Sequence, residues 1–526
     1  MMTKTTKRTR TSGWLKTILS GAVCTLVVPL IWVTINYRPG VTDGNPLVDV
    51  SQETTRIIEP LNENGDVDFL EVINLRASKD VTPENNAAVL YIRALGNVGY
   101  EPESLFEKFL SRMELDKSSI MDTPFIEFET WRKEEYERLS IDQLSLDSNS
   151  PENLQAQYDY LVSSYAPWSP EQFPSIARWL EDNRECMNIV RAATKREFCY
   201  FPLVSNSKPE LMGALLPGAT KMRELARYFL VSASLHLHEG EIDLFLEDLR
   251  CIKRMSEHLA SCPTLVERLM SSALARVVLS QAEKACLSNL KSGDLKKVIE
   301  FVASLQFRND LASRIDQCER LVVLDAMVSM GRGEGPNGAS VIFQFTDWNE
   351  ALRFINAEFD RIVEVCEIED SVQFRQQAEE AEDRLRKFED EVGSESVGAT
   401  LGGRTAKGKW IGKLMAAQMM PAFRAIGNVD AAVRSEQEML LIALAVSAFR
   451  ADQGRLPENL QQLVPEYLAT IPIETYTNEP FKFFRIEAKP GFRIHSTEWL
   501  EGELGAERTM SVQPTIESFE EYLQFR

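Results

Sequence analysis

The chain has only four histidines. Two of them, His236 and His238, stand beside Glu239, and these are residue types that ligate metals. On a helix, however, positions i and i+2 point about 200° apart, so both rings cannot hold one ion. They read as end-of-helix histidines near a C-terminal dipole, and no metal site is expected. Acid pairs say little, because 79 Asp and Glu residues make them unavoidable without any design. A two-carboxylate hydrolase therefore has no marked pair. Neither Gly-x-Ser-x-Gly nor His-Glu-x-x-His occurs.

Of eight cysteines, Cys24 lies in an apolar N-terminal run. The other seven are Cys186, Cys199, Cys251, Cys262, Cys286, Cys318 and Cys366. There is no Cys-x-x-Cys, which excludes zinc ribbons and thioredoxin-type motifs. Apolar helical surroundings favour buried free thiols, with one or two disulfides left open. Gly403 to Lys409 (GRTAKGK) matches most of a phosphate-binding loop, but Trp410 stands where a magnesium-binding Ser or Thr is needed. No buried strand precedes it. A flexible linker over 393–409 is the expectation, and no cofactor.

The segments that would carry such residues are mostly helical. Asn86 caps a helix over Ala87–Leu95, and a charged helix covers Pro124–Leu139. From 175 to 330, apolar residues recur at helical spacing, as in Met222, Leu225, Ala226, Phe229 and Leu230, and again in Ile242, Phe245, Leu246 and Leu249. Glu239-Gly240-Glu241 and Ser261-Cys262-Pro263 divide these helices, and the unequal spacing of such turns excludes a regular repeat array. Residues 158–174 (YDYLVSSYAPWSPEQFP) are aromatic-rich. They could grip sugar rings or a partner, but packing onto the core is the simpler reading. Helices follow over 347–366 and 369–392. In the second, Phe374, Ala378, Ala381, Leu385, Phe388 and Val392 make a short coiled-coil seam. It suits packing within the chain or a homodimer through 369–392.

The chain carries 58 basic and 79 acidic residues in 526, a net charge of −21. Residues 1–36 hold five basic groups and no acid, which leaves 53 basic residues and −26 on the rest. Such a body repels phosphate backbones, so nucleic acid is not an expected partner. Ile18–Ile35 is uncharged and would span about 27 Å as a helix. Basic residues before it predict an uncleaved signal-anchor, a single span of the inner membrane, and an extracytoplasmic body. The expected domains are a tail and transmembrane anchor at 1–37, a tether at 38–84, a helical domain at 85–392, a linker and short helix at 393–428, and an α+β module at 429–526.

That last module is defined by a long helix, Val429–Ala451, followed by Asp452, Gly454, Leu456 and Pro457. A short turn through Leu463-Val464, Ile471-Pro472 and two strands near Phe481–Glu487 and Phe492–Ser496 complete it. Gly454 is placed to end the helix with positive φ, and Pro457 to stop it resuming. The segment 429–496 resembles the globular head of type II secretion pseudopilins through Asp452, Gly454, Leu456, Pro457, Leu463 and Val464. It departs at Ile473–Tyr476, where that family has Asp-Pro. Glu498, Glu501 and Glu503 are poor substitutes for its calcium loop. The whole chain resembles uncharacterised membrane-anchored helical proteins of planctomycete-type bacteria through Asn86-Ala87-Ala88-Val89-Leu90-Tyr91, and that resemblance implies no chemistry.

The expectation is a mainly α protein with irregularly stacked helical hairpins. It reads as a membrane-tethered scaffold or binding protein rather than an enzyme. The structural-motif residues are Asp452, Gly454, Pro457 and Pro472. The alternatives are an accessory of a secretion or pilus-like machine and an envelope-polymer hydrolase.

Overall fold

A computed structural model describes residues 48–121, 124–138, 151–214, 216–307, 310–334, 346–420, 423–486, 491–496 and 509–512. The chain is mainly helical with a small antiparallel sheet near its C-terminus. The first helices are α1 (Phe69–Ala77), α2 (Ala87–Leu95), α3 (Glu103–Arg112), α4 (Phe128–Arg138) and α5 (Pro151–Tyr165). Next come α6 (Pro174–Asp182), α7 (Arg184–Ala193), α8 (Pro217–Glu239), α9 (Ile242–Ser261), α10 (Leu265–Leu287) and α11 (Ser292–Ala303). Beyond them lie α12 (Leu311–Arg314), a π turn at Ile315–Glu319, α13 (Arg320–Arg332) and α14 (Trp348–Cys366). The series closes with α15 (Ser371–Leu401), α16 (Gly403–Met419) and α17 (Phe423–Gln453). Strands β1 (Lys482–Ile486), β2 (Gly491–His495) and β3 (Thr509–Val512) pair in sequence order.

Local chemistry explains these boundaries. The Asn86 side chain accepts from Ala88 N and Tyr200 N and donates to Tyr200 O, so it caps α2 and pins it to a distant strand-like segment. Thr264 and Glu267 form a reciprocal capping box at the start of α10. At Gly454, φ is +66° and its N–H donates to Arg450 O, ending α17 as its position predicts.

Two apolar cores result. One joins α2, α3, α6–α11, the later half of α17 and the sheet. The other joins α1, α12–α16 and the start of α17. Helix α17 belongs to both: Phe423 and Ile426 sit in the second, and Val433 to Phe449 in the first. A module boundary at 429 would cut through this shared helix. The described part of the expected tether is likewise folded into the second core. Asn356 donates to Glu53 O and Thr54 O, and Arg56 pairs with Asp360.

The linker expected over 393–409 is helical. Helix α15 runs to Leu401 and α16 starts at Gly403. Gly408 serves packing rather than freedom. A Cβ on Gly408 would lie 2.4 Å from Asp347 O, so its absence lets α16 reach the start of α14. Phe374, Ala378, Ala381 and Leu385, the seam of α15, are buried in the second core. Within the aromatic stretch, Trp168 is fully buried and donates to Val231 O, while Tyr160 stacks on Phe128.

The membrane placement also needs correction. Among the described residues no helix is long and apolar enough to cross a membrane. The long helices are interrupted by charge: α8 carries Lys221, Arg223, Glu224 and Arg227, and α10 carries Glu267, Arg268, Arg276 and Lys284. The expected anchor, Ile18–Ile35, lies outside the described residues. A single-pass inner-membrane protein with an extracytoplasmic body is therefore not supported.

Candidate functional site

The two cores meet around Arg268 on α10. This residue is 3% exposed. Its Nη2 donates to Asp430 Oδ2 at 2.7 Å, its Nη1 to Ser272 Oγ at 3.2 Å, and its Nε lies 3.2 Å from Asp310 Oδ1. Ser272 Oγ donates in turn to Asp430 Oδ1 at 3.0 Å. Burial pushes the Asp430 carboxyl above the ordinary range, and the Arg268 charge and Ser272 bond only partly offset this.

Above this floor lies a cleft of about 210 Å³ between α9, α10, the segment after α11, and α17. On its far wall Glu257 accepts from Arg254 at 2.9 Å and faces Lys253 at 3.1 Å. Burial alone would raise the Glu257 carboxyl, but these two cations outweigh it and hold it below the usual range. Ser256 Oγ donates to Ser271 O at 2.8 Å and also meets the Ser271 hydroxyl, fastening α9 to α10. Gln437 donates to Val302 O and Leu305 O, closing the C-terminal end of α11 against α17. Ala275, Val278, Leu305 and Val433 supply an apolar side, with Phe307 at the rim.

The residues that the sequence singled out lie elsewhere. Asp452 Oδ2 accepts from Ser292 Oγ at 2.7 Å and Tyr467 OH at 2.9 Å, so it clamps the end of α17 to α11 and to the chain after the short turn. Those two hydrogen bonds lower its carboxyl. Gly454 sets the turn beyond it, Pro457 is buried, and Pro472 is half-buried ahead of the hairpin. None of these four lines the cleft. Glu498, Glu501 and Glu503 fall outside the described residues.

His236 does not share a target with His238. Its Nδ1 lies 3.0 Å from Asp248 Oδ2, and Asp248, fully buried, also meets Arg191 at 2.7 Å. Among the described residues no group of three His, Cys, Asp or Glu side chains is arranged to hold a metal ion. His258 accepts from Tyr91 OH at 2.9 Å and donates through Nε2 to Arg196 O. Burial drives its pKa down to about 4. The seven body cysteines are free and buried, and burial pushes Cys186 up to about 11 and Cys366 to about 12. Such thiols are poor nucleophiles.

Sequence reasoning missed Arg268, Asp430 and Glu257. One signal was present: Arg268, Ser271 and Ser272 follow i, i+3, i+4 spacing, a polar strip on one face of α10. No protein-family model matches this chain, and no curated protein or solved structure matches it either.

Proposed function

We propose that this protein is a non-catalytic helical scaffold that binds a small polar molecule in the cleft over Arg268. One observation carries the reading. The charges around the cleft are already paired: buried Arg268 ties α10 to Asp430 on α17 and to Asp310, and half-buried Lys253 and Arg254 hold Glu257 within α9. A catalytic acid or base needs a proton-transfer path to substrate and a pKa matched to that task. These groups instead fix a rigid, polar concavity, which suits recognition. The finer architecture fits the same role. The antiparallel pair α9–α10 forms much of the wall, and a pseudopilin-like hairpin module follows α17.

A ligand screen by thermal shift, followed by mass spectrometry of each stabilising compound after incubation, tests this. A stabiliser recovered chemically unchanged supports a binding scaffold. A stabiliser converted to product at a rate proportional to protein concentration overturns it and favours a hydrolase.

A further inference from the structure

Resting on that binding reading, we infer that the cleft takes a neutral, polyhydroxylated ligand about the size of one sugar ring. Size sets the first limit. The cleft of about 210 Å³ is below the roughly 300 Å³ at which drug-sized ligand pockets begin.

Charge sets the second limit. Lys253, Arg254 and Arg268 face the cleft with Glu257 and Asp430, and Asp310 stands against Arg268. The lining carries three cations and two carboxylates, Asp310 behind it is shared by Arg268 and Arg314, and each of these charges is already paired. An anion such as phosphate would have to draw Arg268 from its two carboxylates or Lys253 and Arg254 from Glu257. A cation would have to displace Arg268 and Ser272 from Asp430. Displacing Arg268 or Asp430 removes a charge-assisted bond from a desolvated site and leaves a buried partner unmatched, whereas parting half-exposed Lys253 and Arg254 from Glu257 costs less.

A neutral polyol breaks nothing. A carboxylate offers about four lone-pair positions. The Asp430 bonds from Arg268 and Ser272, and the Glu257 bonds from Lys253 and Arg254, use two on each. Ligand hydroxyls donate to the remaining positions and exchange bonds with Ser256 and Ser271. The apolar lining of Ala275, Val278 and Val433, with Phe307 at the rim, meets a ligand face made of C–H groups. One polar edge and one apolar face are the two surfaces of a pyranose or cyclitol ring.

The test uses the purified full chain. Saturation-transfer NMR and calorimetry with glucose, N-acetylglucosamine and myo-inositol are compared with inorganic phosphate, glutamate and arginine. Millimolar binding of at least one neutral probe is expected, weakened about tenfold by Glu257→Gln through loss of a bond to a charged acceptor. Ser271→Ala serves as a second variant, and circular dichroism melting confirms that both fold. Neutral probes that bind both folded variants as well as the parent overturn the site assignment. Binding of none of the neutral probes overturns the ligand class. Binding of phosphate, glutamate or arginine alone also overturns the class, yet leaves the scaffold reading standing, because that reading is decided by whether a bound compound is turned over.

Discussion

Arg268 and Asp430 are 162 positions apart in sequence and 2.7 Å apart in the fold. Both are nearly inaccessible, at 3% and 8% exposure. The pair joins α10 to α17 where the second core gives way to the first. A desolvated ion pair is a weak source of net stability, but breaking it from one side is costly. Its value here is registry: it sets where α17 crosses α10, and so the shape of the cleft.

Asp430→Ala should therefore destabilise the protein by about 3 kcal/mol, because Arg268 stays buried with only Asp310 left to neutralise it. Arg268→Met combined with Asp430→Ala should cost less than the sum of the single changes, with a coupling of about 1–3 kcal/mol. Urea unfolding of the four proteins measures this. Simple additivity would mean that the two residues do not act as a pair.

The helical class and most helix positions were legible because apolar spacing follows burial. Ala87–Leu95 and the last turn of α17 are set by local caps, Asn86 and Gly454, that need no tertiary information. What was hidden depends on partners far along the chain. Gly403 to Lys409 looks flexible on composition, yet it is a helix because Gly408 must fit against Asp347. The placement of residues 48–77 on α13 and α14 leaves no local trace, since Asn356 and Asp360 lie some 300 residues away from Glu53 and Arg56. Arg268 and Asp430 each look like surface charges until their helices are brought together.

Two glycines in the region that reads as a linker should respond with opposite signs. Gly408→Ala places a Cβ 2.4 Å from a backbone oxygen that cannot easily retreat. A loss of about 1–3 kcal/mol is expected. Gly393 is exposed within α15 and a Cβ there meets nothing within 4 Å. Gly393→Ala should stabilise by about 0.5–1 kcal/mol. Thermal melts that show both changes neutral would mean that 393–409 is not helical in solution.

Two groups of opposite sign contribute to the pH dependence. Asp325 accepts from Leu211 N at 2.8 Å. Burial raises its pKa from 3.8 to about 6, with Glu210 and Asp68 adding to the rise and Lys208 opposing it. The folded state then binds more protons than the unfolded chain between about 4 and 6, so stability falls as pH rises through that window. His258 does the reverse. It titrates near 4 when folded against 6.5 ordinarily, so its contribution is present above 6.5 and is lost as pH falls toward 4. Asp325→Asn keeps an acceptor for Leu211 and removes only the first slope. The variant should be more stable than the parent above pH 6, on the order of 2 kcal/mol. Its stability should fall less with rising pH between about 4 and 6 than the parent's does. Urea midpoints across that range decide it, and an unchanged slope would show that Asp325 is not protonated near pH 6 in the folded protein.

Gly454 offers the cleanest separation of backbone from packing. Its φ of +66° lies in the left-handed region, and a Cβ there would meet nothing within 4 Å. The Cβ itself therefore adds no clash, and the cost of Gly454→Ala is conformational. Asn tolerates this conformation best among residues with a side chain, Ala less well, and β-branched Val worst. Stability should fall in the order Gly, Asn, Ala, Val, with Val costing about 1–2 kcal/mol. The turn also fixes where α17 ends, and so where the Asp452 carboxylate meets Ser292 and Tyr467. If Gly454→Val shifts the turn to relieve its strain, that clamp opens. Replacing Tyr467 by Phe should then cost less in the Gly454→Val background than in the parent. Equal costs in both backgrounds would show that the clamp survives, and that the turn absorbs the strain without moving the end of the helix.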